Sequence, residues 1–138
     1  MTQEEKQELF IALCGYLPYE TKIQCNTDFD TFDDILTTDY IHGMFFTAED
    51  IDCIPYLRPM DSMTTEERME FAKLFNKWHD DELFDYIEEG VDFSIWKHKG
   101  MSASIFDWLN FRHFDYRGLI PMGIALEATE DMYNTKTE

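Results

Sequence analysis

The sequence predicts an α+β fold, a small antiparallel sheet packed by about three helices in a single domain, and three observations carry that prediction. Two capping boxes, Thr2-Gln3-Glu4-Glu5 and Thr64-Thr65-Glu66-Glu67, each open a stretch with apolar residues at helical spacing. From Glu20 to Phe46 the rhythm changes to polar–apolar alternation, the period of a half-buried strand. The chain has 138 residues, 44% of them hydrophobic and 16% aromatic, with twelve Phe, which suits one domain with a real core and excludes a disordered acidic tail.

The elements follow in order. Residues 1–17 read as a helix with Thr2 as N-cap and Leu9, Phe10, Leu13, Cys14 and Leu17 on its apolar stripe; Gly15 is the expected stop and Pro18 closes it. Residues 20–60 read as a β-meander with a proline-bracketed loop. Its strands are Thr21–Cys25, Phe32–Leu36 and Tyr40–Phe46, Asn26-Thr27-Asp28 is a turn, and Pro55 and Pro59 stiffen the loop Ile54–Met60. Residues 64–128 form a helical half with short strands. Phe71, Leu74, Phe75 and Trp78 mark one helix; the segment His79–Glu89 extends it or starts another and ends at Gly90. Val91–Ile95 alternates as a strand. Ser102 or Ser104 caps a third helix through Ile105, Phe106, Trp108 and Leu109; a turn at Asp115–Gly118 and a short strand Ile124–Leu126 follow. Residues 129–138 read as a frayed tail.

Twenty-nine Asp and Glu against eleven Lys and Arg give a net charge of −18 and a pI near 4.3. Such a field repels phosphate backbones and anionic membrane surfaces, so direct nucleic-acid or membrane binding is not expected. It attracts basic proteins in a salt-dependent way, although acidic side chains also serve solubility alone. Cys14, Cys25 and Cys53 are an odd set without CxxC spacing, each among apolar or strand-like neighbours, where Cys acts as a small buried hydrophobe. The first residues lack the basic and apolar regions of a signal peptide, and no apolar run approaches the roughly 20 residues that span a bilayer. A reducing, cytoplasmic setting is expected.

The densest charge run is Asp80, Asp81, Glu82, Asp85, Glu88, Glu89 and Asp92. On a helix most of these share a face and repel one another, a pattern that serves either a basic partner, even as a mimic of DNA phosphates, or a solvated surface. Asp28, Asp30, Asp33 and Asp34 form a second cluster. Counted from Asp28 as a calcium loop, it has Asp33 where Gly is required and Asp39 where Glu is required, so it reads as a charged turn. His42, His79, His98 and His113 have no metal-site spacing, and no cofactor or metal is expected. Trp96, Lys97, Lys99, Trp108, Arg112, Tyr116 and Arg117 interleave aromatics with cations (Phe111 lies among them), as a nucleotide patch or a core edge with snorkelling basic side chains does.

Leu17-Pro18-Tyr19, the run Pro55-Tyr56-Leu57-Arg58-Pro59-Met60-Asp61-Ser62-Met63-Thr64 with Glu66-Glu67, and Asp107-Trp108-Leu109-Asn110 through His113-Phe114-Asp115-Tyr116-Arg117-Gly118-Leu119-Ile120 to Ala125-Leu126-Glu127-Ala128 resemble small uncharacterised proteins of Bacteroidales phages and prophages. Phe71–Gly100 is less similar. The resemblance implies a phage or prophage origin and a bacterial cytoplasm, and brings no reaction with it. Arg58 and Arg117 look placed to tie loops to carboxylates.

The expected function is therefore that of a non-enzymatic accessory protein. It would bind and modulate a host protein with a basic surface, such as a nucleic-acid-binding defence enzyme, through the acidic run. The alternatives are sequestration of a small nucleotide signal on the aromatic and basic patch, or a purely structural phage protein.

Overall fold

The computed structural model describes residues 2–47, 51–76, 103–129 and 131–133. The fold is α+β, with four helices and a four-stranded sheet among the described residues. The helices are α1 (Gln3–Tyr16), α2 (Thr38–Phe46), α3 (Thr65–Asn76) and α4 (Ala103–Phe111). The strands are β1 (Lys22–Thr27), β2 (Thr31–Ile35), β3 (Ile51–Leu57) and β4 (Leu126–Glu127), in the order β2-β1-β3-β4. The chain divides into two compact units, Met1–Leu57 with Leu119–Glu138, and Arg58–Gly118.

The first unit holds the sheet. Thr2 and Glu5 form the predicted capping box, at 2.8 Å and 3.1 Å, and α1 buries Leu9, Ala12, Leu13 and Tyr16. Gly15 is helical rather than the stop. The helix runs into a 3₁₀ turn, Leu17–Tyr19, where Pro18 is tolerated because the first turn has no N–H bonds to lose. Left-handed Glu20 (φ 53°) then releases the chain, and the buried Thr21 hydroxyl donates to the Tyr16 carbonyl at 2.9 Å. Cys14 is exposed, so only Cys25 and Cys53 are the buried thiols expected.

β1 pairs antiparallel with β2 on one side and with β3 on the other, and β4 runs parallel to β3. The turn lies at Asp28–Asp30, two residues later than predicted, because the Thr27 hydroxyl accepts from the Phe29 and Asp30 N–H groups. One strand expectation fails outright. Tyr40–Phe46 is helical: a short apolar run carries no decisive period, and here Phe45 and Phe46 reach Phe10 of α1 edge-on, at 5.1 Å and 5.7 Å. The meander is therefore interrupted by α2, and β3 lies beside β1 instead of β2.

The proline-bracketed loop is also corrected, since Ile51–Leu57 is strand. Pro55 opposes Ile23 two residues from the Cys25–Cys53 pair, and the Cys53 N–H turns away from β1 to the Met44 sulfur at 3.4 Å. The Pro55 nitrogen has the same orientation, toward a side where β4 pairs only Tyr56 and Leu57. No ladder hydrogen bond is lost there. The last strand is Leu126–Glu127 instead of Ile124–Leu126, with Ile124 and Ala125 buried in the bend before it.

Where β1 and β3 separate, the Tyr133 hydroxyl replaces the ladder. It accepts from the Lys22 N–H at 2.8 Å and donates to the Tyr56 carbonyl at 2.7 Å, while Lys22 Nζ donates to the Met132 carbonyl.

The second unit is built on α3 and α4. Thr64 and Glu67 form the second predicted capping box, at 3.0 Å and 3.2 Å. Arg58 exchanges backbone hydrogen bonds with His113 and Asp115, 2.8 Å each, so the stretch Pro55–Thr64 pairs with the stretch His113–Ile120. Phe71, Ile105, Leu109 and Phe114 are fully buried, each worth roughly 1.5–3 kcal/mol of transfer free energy. The expected helix over His79–Glu89, the stop at Gly90, the strand Val91–Ile95, the Ser102 cap and the tail beyond Tyr133 lie outside the described residues.

Candidate functional site

The acidic run Asp80, Asp81, Glu82, Asp85, Glu88, Glu89 and Asp92 lies outside the described residues, as do Trp96, Lys97, Lys99, His79 and His98. The second acidic cluster is described, and it occupies the sheet edge. Between Lys22 and Arg58 the chain carries eight Asp or Glu and no Lys or Arg. All five residues of β2 are exposed, and Phe29 at the hairpin tip is 98% exposed.

The register explains what the aspartates do there. The Leu36 N–H donates to the Thr21 carbonyl, so residues 32, 34 and 36 point their N–H groups at β1 and residues 31, 33 and 35 point theirs outward. An open edge of outward donors invites another strand. Here Asp30 accepts from the Thr31 N–H at 2.8 Å and Asp34 from the Ile35 N–H at 2.7 Å. The carboxylates thus close two of the outward donors and are themselves held in place.

Asp34 lies on the same face as Ile23 and Cys25, where the Tyr40 hydroxyl of α2 donates to it in a short hydrogen bond. That hydroxyl, and then the Ile35 N–H, hold the Asp34 carboxyl below the usual carboxylate range; the same bond pushes the Tyr40 phenol up. Asp33 faces the other way, with Gln24 and Tyr56. The Tyr56 hydroxyl donates to Asp33 at 2.7 Å, and Gln24, Asn26 and Thr31 continue a polar row across the strands. The edge therefore presents rigid carboxylates on both faces of the sheet, interleaved with the exposed rings of Phe29 and Phe32.

The described part of the aromatic and basic patch is Trp108, Arg112, Tyr116 and Arg117. Trp108 stacks between Phe71 at 5.4 Å and Phe114 at 5.8 Å, and its indole N–H donates to Glu70 at 3.3 Å. Arg112 bridges Glu67 at 3.5 Å and Glu70 at 3.1 Å. The buried Tyr116 hydroxyl donates to Asn110, and the Arg117 guanidinium lies 5.7 Å from the Tyr116 ring centroid. Trp108, Arg112 and Tyr116 thus spend these hydrogen bonds within the unit itself.

Arg58 does tie its loop to a carboxylate. It is 8% exposed, lies 4.2 Å over the Phe114 ring, and makes a two-pronged pair with Glu67 at 2.6 Å and 2.8 Å. Burial pushes the Glu67 carboxyl up, but Arg58, the Thr64 N–H and the charge of Arg112 outweigh it and leave Glu67 below its ordinary value. His42 lies against Phe46, and His113 is buried in the left-handed region (φ 63°). Among the described residues no group of three or more His, Cys, Asp or Glu is placed to hold a metal ion, and no helix is long and apolar enough to cross a membrane.

Sequence reasoning missed Tyr40 and Tyr56, the two hydroxyls that orient the acidic edge, and Phe29 and Phe32 as its apolar part. Asp30 and Asp34, each one residue before an outward N–H, were the available signal. Comparison with protein-family models, with curated proteins and with solved structures finds no match.

Proposed function

We propose that this chain is a binding protein that engages a basic protein partner through its acidic surface, and that the β1–β2 hairpin edge is the described part of that surface. The observation that carries the reading is an edge strand exposed throughout, whose carboxylates are pinned while apolar rings stand free beside them. Pinned carboxylates lose little conformational freedom on binding, and exposed rings supply contact area that charge alone does not. Because two outward donors are already capped, the partner docks on side chains rather than by strand addition. The phage resemblance makes a host protein the natural partner, with a nucleic-acid-binding defence enzyme the concrete case.

The test uses a fluorescein-labelled peptide alternating lysine and valine, with a glutamate–valine peptide as control, read by anisotropy. The lysine peptide should bind and weaken with salt, and D30N/D33N/D34N should weaken it at least about tenfold, since the loss of several close charge pairs exceeds 1.4 kcal/mol. Asn keeps the backbone caps, so the fold is preserved. Equal affinity of the triple variant and the parent would place any binding elsewhere on the −18 charge.

A further inference from the structure

Cys25 and Cys53 take no part in the acidic edge, and their placement has its own chemistry. They are direct partners across β1 and β3, both fully buried, with Cys53 Sγ 3.4 Å from Cys25 Sγ as free thiols. We propose that they form a redox couple, a buried dithiol that a peroxide-class oxidant closes to a cross-strand disulfide and that small thiols reopen.

The register supports closure. The Cys53 N–H points away from β1 to the Met44 sulfur, so Cys25–Cys53 is a non-hydrogen-bonded pair. In such pairs the Cα atoms lie about 4.5 Å apart and the side chains are at their closest. That spacing is inside the roughly 4.4–6.8 Å window for a disulfide. From 3.4 Å the sulfurs need only side-chain rotation to reach bonding distance of about 2.0 Å.

The step balances without further reagents. Each Sγ gives up its hydrogen, the S–S bond forms, and hydrogen peroxide takes the two protons and two electrons to become two waters. Reopening by a small thiol forms a mixed disulfide with one sulfur; a second thiol then releases the dithiol and leaves as the small-molecule disulfide. Met44 and Tyr40 place α2 beside the pair, and burial pushes both thiols up, Cys53 further. Their burial leaves both less accessible to an oxidant than the exposed Cys14.

The experiment uses the full chain carrying Cys14→Ser, a change at an exposed helix position, beside the unsubstituted chain. Folded protein is treated with hydrogen peroxide, quenched, unfolded in denaturant and alkylated with iodoacetamide. The expected result is a chain lighter by two hydrogens that takes up no alkyl group and yields a peptide linking Cys25 to Cys53. Dithiothreitol should restore both alkylation sites. Two alkylated sulfurs at unchanged mass, oxygen added to one sulfur without a link, or a bridge to Cys14 in the unsubstituted chain would each overturn the proposal.

Discussion

The chain uses one four-residue motif twice, and its two copies behave differently. At Thr2–Glu5 the capping box lies at the surface and closes the first turn of α1. At Thr64–Glu67 the same reciprocal bonds form, but Glu67 is 2% exposed and also holds Arg58 by two bonds and Arg112 by a longer one. Both glutamates titrate below their ordinary value for different reasons. Glu5 is lowered by the Thr2 N–H and hydroxyl, whereas Glu67 is lowered by its cations against the opposing effect of burial. A local motif thus fixes where a helix starts, and burial decides how much of the fold depends on it.

The largest effect expected from breaking this comparison is at Glu67. Glu67→Ala leaves the Arg58 guanidinium buried without its carboxylate, a loss of about 3–5 kcal/mol that urea unfolding would read. A loss near that of an exposed cap would mean that Arg58 finds water instead. The same pair gives a pH dependence. The folded-state pKa of Glu67 lies below that of the unfolded chain, so its stabilisation is complete above the unfolded value of about 4.3 and disappears as pH falls through the folded one. Melting curves of Glu67→Gln should accordingly be flatter across that acid range than those of the parent.

A middle-sized effect tests a neutral counterpart. Tyr133→Phe removes the hydroxyl that joins the Lys22 N–H to the Tyr56 carbonyl, leaving two part-buried backbone groups to water; about 1–3 kcal/mol is expected, without the acid dependence of Glu67. The smallest effect belongs to the exposed box. Thr2→Ala should lower stability by about 1 kcal/mol, and Thr64→Ala by more, because the Glu67 N–H that it leaves unpaired is part-buried beside the Arg58 pair, whereas the Glu5 N–H is exposed to water. Equal losses at the two threonines would show that capping, not the buried pair, dominates both sites.

Both boxes were legible because capping needs specific side chains at a fixed spacing, and so was α1 from its apolar stripe. The tie between Arg58 and a carboxylate was legible in kind, but not that its partner is Glu67, already assigned to a cap. Tyr40–Phe46 was misread because aromatic and β-branched residues suit a strand as well as a short helix, and the deciding contact with Phe10 comes from a segment some thirty residues away. The acidic edge was seen only as a charged turn. What makes it a surface, the outward N–H groups of β2 and the Tyr40 and Tyr56 hydroxyls, depends on register, which composition does not reveal. The same blindness hid the thiol pair, since Cys25 and Cys53 are 28 residues apart.

The bridge made by Tyr133 sets an order of events during synthesis. Lys22 and Tyr133 are 111 positions apart, and Tyr56 and Tyr133 are 77 apart. At roughly 5–20 residues per second, a ribosome needs about 4–15 s to travel from Tyr56 to Tyr133. The β1–β2 hairpin forms in about 1–10 μs once it is free of the exit tunnel. Until Tyr133 is added, then, the nascent chain lacks the hydroxyl that joins β1 to β3, and the side of β3 that β4 later covers stays open. A nascent-chain-binding factor would meet that open flank first.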